Sequence, residues 1–170
     1  RDLPSFPTPR SSDLNCTPPA NFFHVMRRQL HRDFCKPLIV LTPKSLLRHP
    51  RCVSPLSDFT KGGFQEVIDD TEVETRKVKK VIFCSGKIYY ELLEQRKKKK
   101  VMNNALVRIE QLYPLATRQL EAVVAKYKDA ESFIWLQEEP ENMGAWPHLL
   151  RRSEERRVGK ECRSRWSPYH

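Results

Sequence analysis

Residues 78–93 read Val-Lys-Lys-Val-Ile-Phe-Cys-Ser-Gly-Lys-Ile-Tyr-Tyr-Glu-Leu-Leu. The run Val81-Ile82-Phe83-Cys84 is continuous and apolar, as in a strand buried on both faces. Ser85-Gly86 is a turn pair, and the apolar spacing then changes. Ile88, Tyr89, Leu92 and Leu93 mark one face of a helix. The stretch therefore predicts a strand over Val78–Cys84, a tight turn and a helix. Cys84 is expected to be a core thiol.

The same rhythm repeats downstream. Ala105 to Ile109 reads as a second strand. Thr117 is a candidate cap for a helix whose face is Leu120, Val123, Val124 and Tyr127, and Ser132 to Leu136 reads as a third strand. Strand centres at Phe83, Val107 and Ile134 lie 24 and 27 residues apart, the length of a strand–helix–strand unit with a right-handed crossover. Residues 61–151 are thus predicted to be an α/β domain, an open and mostly parallel sheet with helices on both faces. Such sheets bind ligands at the carboxyl ends of their strands, here Ser85-Gly86, Glu110-Gln111 and Gln137-Glu138-Glu139.

Residues 15–60 read as the helix–strand remnant of another α/β domain. Thr17 is placed to cap a helix, with Pro18 and Pro19 in its first turn. Phe23, Met26, Leu30 and Phe34 form its apolar face, and Lys36-Pro37 ends it. Leu38 to Leu41 reads as a buried strand and Lys44 to His49 as a helical turn. Pro50, Pro55 and Gly62-Gly63 punctuate a linker. Phe64 to Ile68 is a candidate short strand.

Hydrophobic content of 39% with 31% charged residues is a soluble globular balance. No apolar run approaches the roughly 20 residues of a membrane helix, and no signal-peptide pattern opens the chain. The five cysteines, Cys16, Cys35, Cys52, Cys84 and Cys162, form no C-x-x-C pair. An odd count fits free thiols in a reducing compartment better than a disulfide framework.

The net charge of +10 suggests a polyanionic partner, but part of it lies in the ends. Residues 1–14 and 152–170 show neither helical nor strand periodicity and resemble translated sequencing adapter, so both are set apart as non-native. They carry eight basic and five acidic residues, leaving 23 basic against 16 acidic over 15–151. Much of that surplus is Arg96 to Lys100, at the end of a predicted helix where cations complement the helix dipole. No stacking aromatics interleave with it, so it reads as a solvated helix end rather than a nucleic-acid site.

Sites of chemistry are sparse. Ser85-Gly86-Lys87 could seat a phosphate at a helix start, yet it lacks P-loop spacing and reads better as a plain turn. His24 and His31 are two helical turns apart, about 10 Å, too far for one metal, and are expected at a surface or interface. Glu138 and Glu139 could serve as acid and base, although adjacent strand residues point to opposite faces. Lys44, Ser45 and Arg48, in the segment Thr42 to His49, suit an anion such as an acyl-CoA. An interdomain hinge is the plainer reading of that segment.

Four long motifs carry a resemblance. They are T-P-K-S-L-L-R-H-P (Thr42–Pro50), C-S-G-K-I-Y-Y-E-L (Cys84–Leu92), V-R-I-E-Q-L-Y-P (Val107–Pro114) and Q-E-E-P-E-N-M-G-A-W (Gln137–Trp146). In order and spacing they resemble the C-terminal region of the decarboxylating component of bacterial 2-oxoglutarate dehydrogenase, over nearly all of 15–151. The resemblance implies a fragment of a homodimeric, cytoplasmic, transketolase-like enzyme of the citric-acid cycle. That enzyme uses thiamine diphosphate and magnesium and succinylates a lipoyl group, alongside dihydrolipoyl succinyltransferase and dihydrolipoyl dehydrogenase. It further implies that 15–60 closes the pyrimidine-side domain and that 61–151 is most of the C-terminal domain. No Gly-Asp-Gly motif of thiamine enzymes occurs among the five glycines, so no catalytic, cofactor-binding or metal residue is expected, and no cofactor is expected bound. Gln137, Glu138, Glu139, Asn142, Gly144 and Trp146 are expected to be structural or interface residues. A related 2-oxoadipate dehydrogenase and an acyl-CoA-binding regulatory module are the alternatives. Neither nucleic acid nor membrane is an expected partner.

Overall fold

The structure is a computed structural model that describes residues 12–33 and 36–155, with the backbone alone for 151–155. Two sheets organise it. The larger has the strand order β3 (Val67–Ile68), β5 (Asn104–Ile109), β4 (Lys80–Cys84), β7 (Ser132–Leu136). The β4–β5 and β4–β7 pairs are parallel, with Phe83 beside Val107 and Trp135. Only the two-residue β3 runs antiparallel, against the end of β5. The expected strands, and the mostly parallel sheet they build, are therefore present.

One face of this sheet meets α4 (Thr117–Lys126). Val81, Phe83, Ala105, Val107 and Ile109 alternate along β4 and β5 and pack with Val123 and Tyr127. Val81, Ala105 and Val107 are wholly buried, and a valine so buried contributes about 1.5–3 kcal/mol. On the opposite face lies α3 (Ile88–Lys99), where the Tyr89 ring sits 4.2 Å beneath the Arg108 guanidinium. Cys84 is fully buried, and burial pushes its thiol up to about 12. Helices thus cover both faces.

Three details of these helices differ from expectation. The side chain buried most deeply from α3 is Tyr90, whose hydroxyl donates to the Thr17 carbonyl at 2.9 Å. Arg96 is not a solvated helix end. It is 7% exposed, bonds Asp70, and reaches Glu72 at 2.6 Å. The Asp70 and Glu72 carboxylates draw it inward, a partner a charge run cannot disclose. Thr117 opens α4 but caps nothing; its hydroxyl bonds the Leu115 carbonyl.

The smaller sheet has the order β2 (Leu38–Val40), β1 (Ser12–Leu14), β6 (Gln111–Tyr113). Strand β1 runs parallel to β2 and antiparallel to β6. Residues 12–14 thus form a strand where no strand pattern was read. Pairing uses main-chain groups, and Leu14 alone enters the core, wholly buried. Because β6 follows β5 directly, backbone bonds join residues 12–14 to the larger sheet's chain; Asn15 N–H reaches the Glu110 carbonyl at 2.8 Å. Strand β2 is less buried than its apolar run suggests, with Ile39 and Leu41 about half exposed.

Helix α1 (Pro19–Leu30) starts after Pro18, not Thr17, and has no side-chain cap. Its buried face is Ala20, Asn21, His24 and Val25, whereas Phe23, Met26 and Leu30 are exposed. The expected apolar face is therefore the outer one, and Phe34 lies outside the described residues. His24 is buried and meets the Asp58 carbonyl at 2.6 Å, in α2 (Leu56–Thr60), so it is not a surface group. The inward face holds polar side chains because its seat is polar. Asn21 exchanges bonds with the Gln65 backbone, and Arg28 reaches Gln111 at 2.7 Å while lying over the Phe64 ring.

Candidate functional site

The carboxyl ends of β4 and β7 open on a cavity of about 640 Å³ between the two sheets. Ser85 and Gln137 follow those strands, Leu112 and Tyr113 come from β6, and Ile39 and Leu41 come from the β2 end. Asp13 and Asn15 close it on one side. His148, on α5 (Trp146–Glu155), meets Tyr113 edge to face at 5.8 Å. This is where an open parallel sheet places a ligand.

Gln137 shapes the rim. Its Oε1 accepts from Trp135 Nε1 at 2.8 Å and from the Trp146 N–H at 3.1 Å. Its Nε2 donates to the carbonyls of Glu139, Pro140 and Met143 at 2.8–3.0 Å. One amide thus folds the 137–146 loop around itself. Gly144 sits at φ +69, and a Cβ there would come within 3.1 Å of Gln137 Oε1 and 3.0 Å of Glu139 Oε2, so the curl needs glycine. Trp146 is buried at the end of the loop, while Asn142 is exposed.

The strand ends at Leu136, and the two following glutamates part company. Glu138 pairs with Lys87 at 2.9 Å, and that bond raises the lysine's pKa. Glu139 lines the cavity. Lys87 is therefore held by a carboxylate. Gly86, at φ +75 with no room for a Cβ beside Asn15, makes Ser85-Gly86-Lys87 the tight turn expected of it. Lys44, Ser45 and Arg48 all lie exposed on a five-residue 3-10 turn that buries only Leu46. Among the described residues, no group of three or more His, Cys, Asp or Glu is placed to hold a metal.

A second polar centre lies at Glu110, which the sequence marked only as a strand end, without its partners. Glu110, at the end of β5, is wholly buried. It accepts from the Thr17 N–H at 2.7 Å, from the Thr17 hydroxyl, and from Asn21 Nδ2 at 3.1 Å. Arg108 Nη1 donates to the same Thr17 hydroxyl at 3.0 Å. Thr17 thus serves Glu110 instead of its own helix. Burial pushes the Glu110 carboxyl above the usual range, partly offset by the Thr17 hydroxyl and the Arg108 charge. The signal available in the sequence was two charged residues, Arg108 and Glu110, two apart in an otherwise apolar strand.

Residues 53–165 match the family described as 2-oxoglutarate dehydrogenase C-terminal, and the chain belongs to that family. Its relatives include the 2-oxoglutarate dehydrogenase E1 component of Cupriavidus necator, 50% identical over 131 residues, which are 76% of this chain and 14% of the relative. The E1 component of Brucella anthropi is 45% identical over 146 residues, 79% of this chain and 14% of the relative. The oxoglutarate dehydrogenase of Buchnera aphidicola is 47% identical over 128 residues, 75% and 14% respectively. The chain therefore spans about one seventh of the length of the relatives it matches. The cavity does not suit the diphosphate of a thiamine cofactor, because Asp13 and Glu139 line it and, among the described residues, no lysine or arginine does.

Proposed function

We propose that the chain is the C-terminal part of the decarboxylating, thiamine-diphosphate-dependent component of a 2-oxoglutarate dehydrogenase complex, and that this part is architectural. Residues 15–60 would end the pyrimidine-side domain and 61–151 would form most of a transketolase-like C-terminal domain. Residues 1–14 and 152–170 would be foreign to the parent, although the family match extends through residue 165. The parent would act as a cytoplasmic homodimer, binding thiamine diphosphate and magnesium upstream of this segment. It would pass a succinyl group to the lipoyl arm of dihydrolipoyl succinyltransferase, with dihydrolipoyl dehydrogenase completing the cycle.

The observation that carries the architectural reading is where the buried polar groups go. Glu110 binds Thr17 and Asn21, Arg96 binds Asp70 and Glu72, and Gln137 binds its own loop. The first two join distant segments of the chain, the third holds one loop, and all three have little capacity left for a substrate. The names of the relatives favour 2-oxoglutarate over 2-oxoadipate. Lys44, Ser45 and Arg48, the residues of the acyl-CoA alternative, are exposed and do not line the described cavity.

Complementation tests the proposal. The chain is co-expressed with the upstream portion of the Cupriavidus necator relative. The readout is 2-oxoglutarate-dependent ferricyanide reduction with thiamine diphosphate and magnesium. Activity is expected only when both parts are present. Activity of the chain alone, or of the upstream part without it, overturns the assignment.

A further inference from the structure

We infer that the gap between β2 and β6 is an acceptor for an extended apolar strand, and that Ser12-Asp13-Leu14 fills it as a substitute. The inference rests on the reading that residues 1–14 are foreign to the parent. The occupant it names is the stretch of the parent directly preceding Asn15, apolar where Asp13 now stands.

The gap recognises backbone more than sequence. Ser12 N–H donates to the Pro37 carbonyl at 3.2 Å, and the Leu14 carbonyl accepts from the Leu41 N–H at 2.7 Å. On the β6 side the pairing is antiparallel, and its register slips between Asp13 and Leu14. Main-chain bonds of this kind let one extended segment replace another, while the surroundings of alternate side chains set the preference.

Two side chains show that preference. Leu14 points inward, wholly buried beside Val25, Leu38, Val40 and Phe64. Asp13 takes the other face, where its register partners are Ile39 on β2 and Tyr113 on β6. All three line the cavity, together with Leu41, Leu112 and Trp135. The carboxylate finds no partner there. Its Oδ1 is shielded from water and makes no hydrogen bond among the described residues. Aspartate is depleted on half-buried strand faces, and valine and isoleucine are enriched. An unpaired buried oxygen also carries a desolvation cost that an apolar side chain of similar shape avoids. Asp13 is therefore the misfit, a charged residue where both neighbouring strands offer carbon.

The test uses the 170-residue chain. Asp13→Val is expected to raise the folding constant about tenfold, read as a higher urea midpoint at unchanged slope. Asp13→Asn, similar in shape and still polar, should gain far less. The gap itself is probed with a fluorescein-labelled peptide of residues 9–16 carrying Asp13→Val. In the chain, Leu14→Asp should evict its own strand, and the peptide should then bind saturably by fluorescence anisotropy. The unaltered chain, with its gap filled, should bind the peptide far more weakly. An Asp13→Val midpoint no higher than that of the unaltered chain overturns the inference, even if Leu14→Asp unfolds. So does an equal gain from Asp13→Asn, which would trace the effect to charge alone. So does a folded Leu14→Asp chain that binds the peptide no better than the unaltered one. Failure here with successful complementation strikes the strand acceptor alone. Failed complementation with both readouts positive strikes the parent assignment instead.

Discussion

At the scale of single residues, two buried charges dominate. The folded-state pKa of Glu110 lies above its unfolded value. Its contribution to stability is therefore fully present below the unfolded pKa and is lost as pH rises through the folded one. Glu110→Gln keeps an acceptor for Thr17 and Asn21 and removes the titration. Relative to this variant, the parent chain should lose stability between about pH 5 and about pH 8. Urea midpoints of both chains at the two pH values measure it, and parallel pH responses would contradict it. Arg96 is the opposite case. Its guanidinium and the Asp70 carboxylate are each about 95% buried, so removing one strands the other. Arg96→Leu is expected to cost about 3 kcal/mol, read as a lower urea midpoint at unchanged slope. A loss under 1 kcal/mol would mean that the pair behaves as if exposed.

At the scale of elements, the strands were legible and the helix faces were not. Val81 to Cys84, Ala105 to Ile109 and Ser132 to Leu136 announce themselves as apolar runs, the first two in the middle of the sheet and the third half-buried at its edge. Helix α1 misleads because its seat is polar: Asn21 and His24 turn inward, and Phe23, Met26 and Leu30 turn out. Periodicity finds a stripe but does not say which stripe meets the protein. The cavity was half legible. Gln137 to Trp146 stood out as a motif, whereas Asp13, Asn15, Ser85 and His148 come together only through the pairing of β1 with β6. The outer face of α1 carries a prediction. Met26→Gln with Leu30→Lys should reduce self-association in light scattering at high concentration, because exposed apolar stripes associate. The far-ultraviolet circular dichroism and the urea midpoint should stay within about 0.5 kcal/mol of the parent. Association unchanged by the double variant would place the contact elsewhere.

At the scale of the molecule, the two sheets share one chain segment, β5 running into β6, and β1 closes the smaller sheet. Deleting residues 1–14 removes the central strand of that sheet and the buried Leu14. Loss of such a leucine alone costs about 2–5 kcal/mol. The truncated chain is expected to unfold at lower urea and to bind more of a hydrophobic dye, while the amides of β4 and β5 keep their slow hydrogen exchange. Equal loss of protection in both sheets would show that they unfold as one unit.

The bond between Thr17 and Glu110 closes over 93 residues of sequence. Order in time follows from that span. Pairing of β4 with β5 bridges a far shorter loop, and the entropy of closing a loop rises with its length. When denaturant is diluted away, the parallel core should gain protection first. Thr17 and Asn21 should find their carboxylate only after that core exists to present it. Pulsed hydrogen labelling during refolding would show the Thr17 amide among the last to be shielded, well after those of Phe83 and Val107. A Thr17 amide shielded together with them would mean that α1 joins the nucleus.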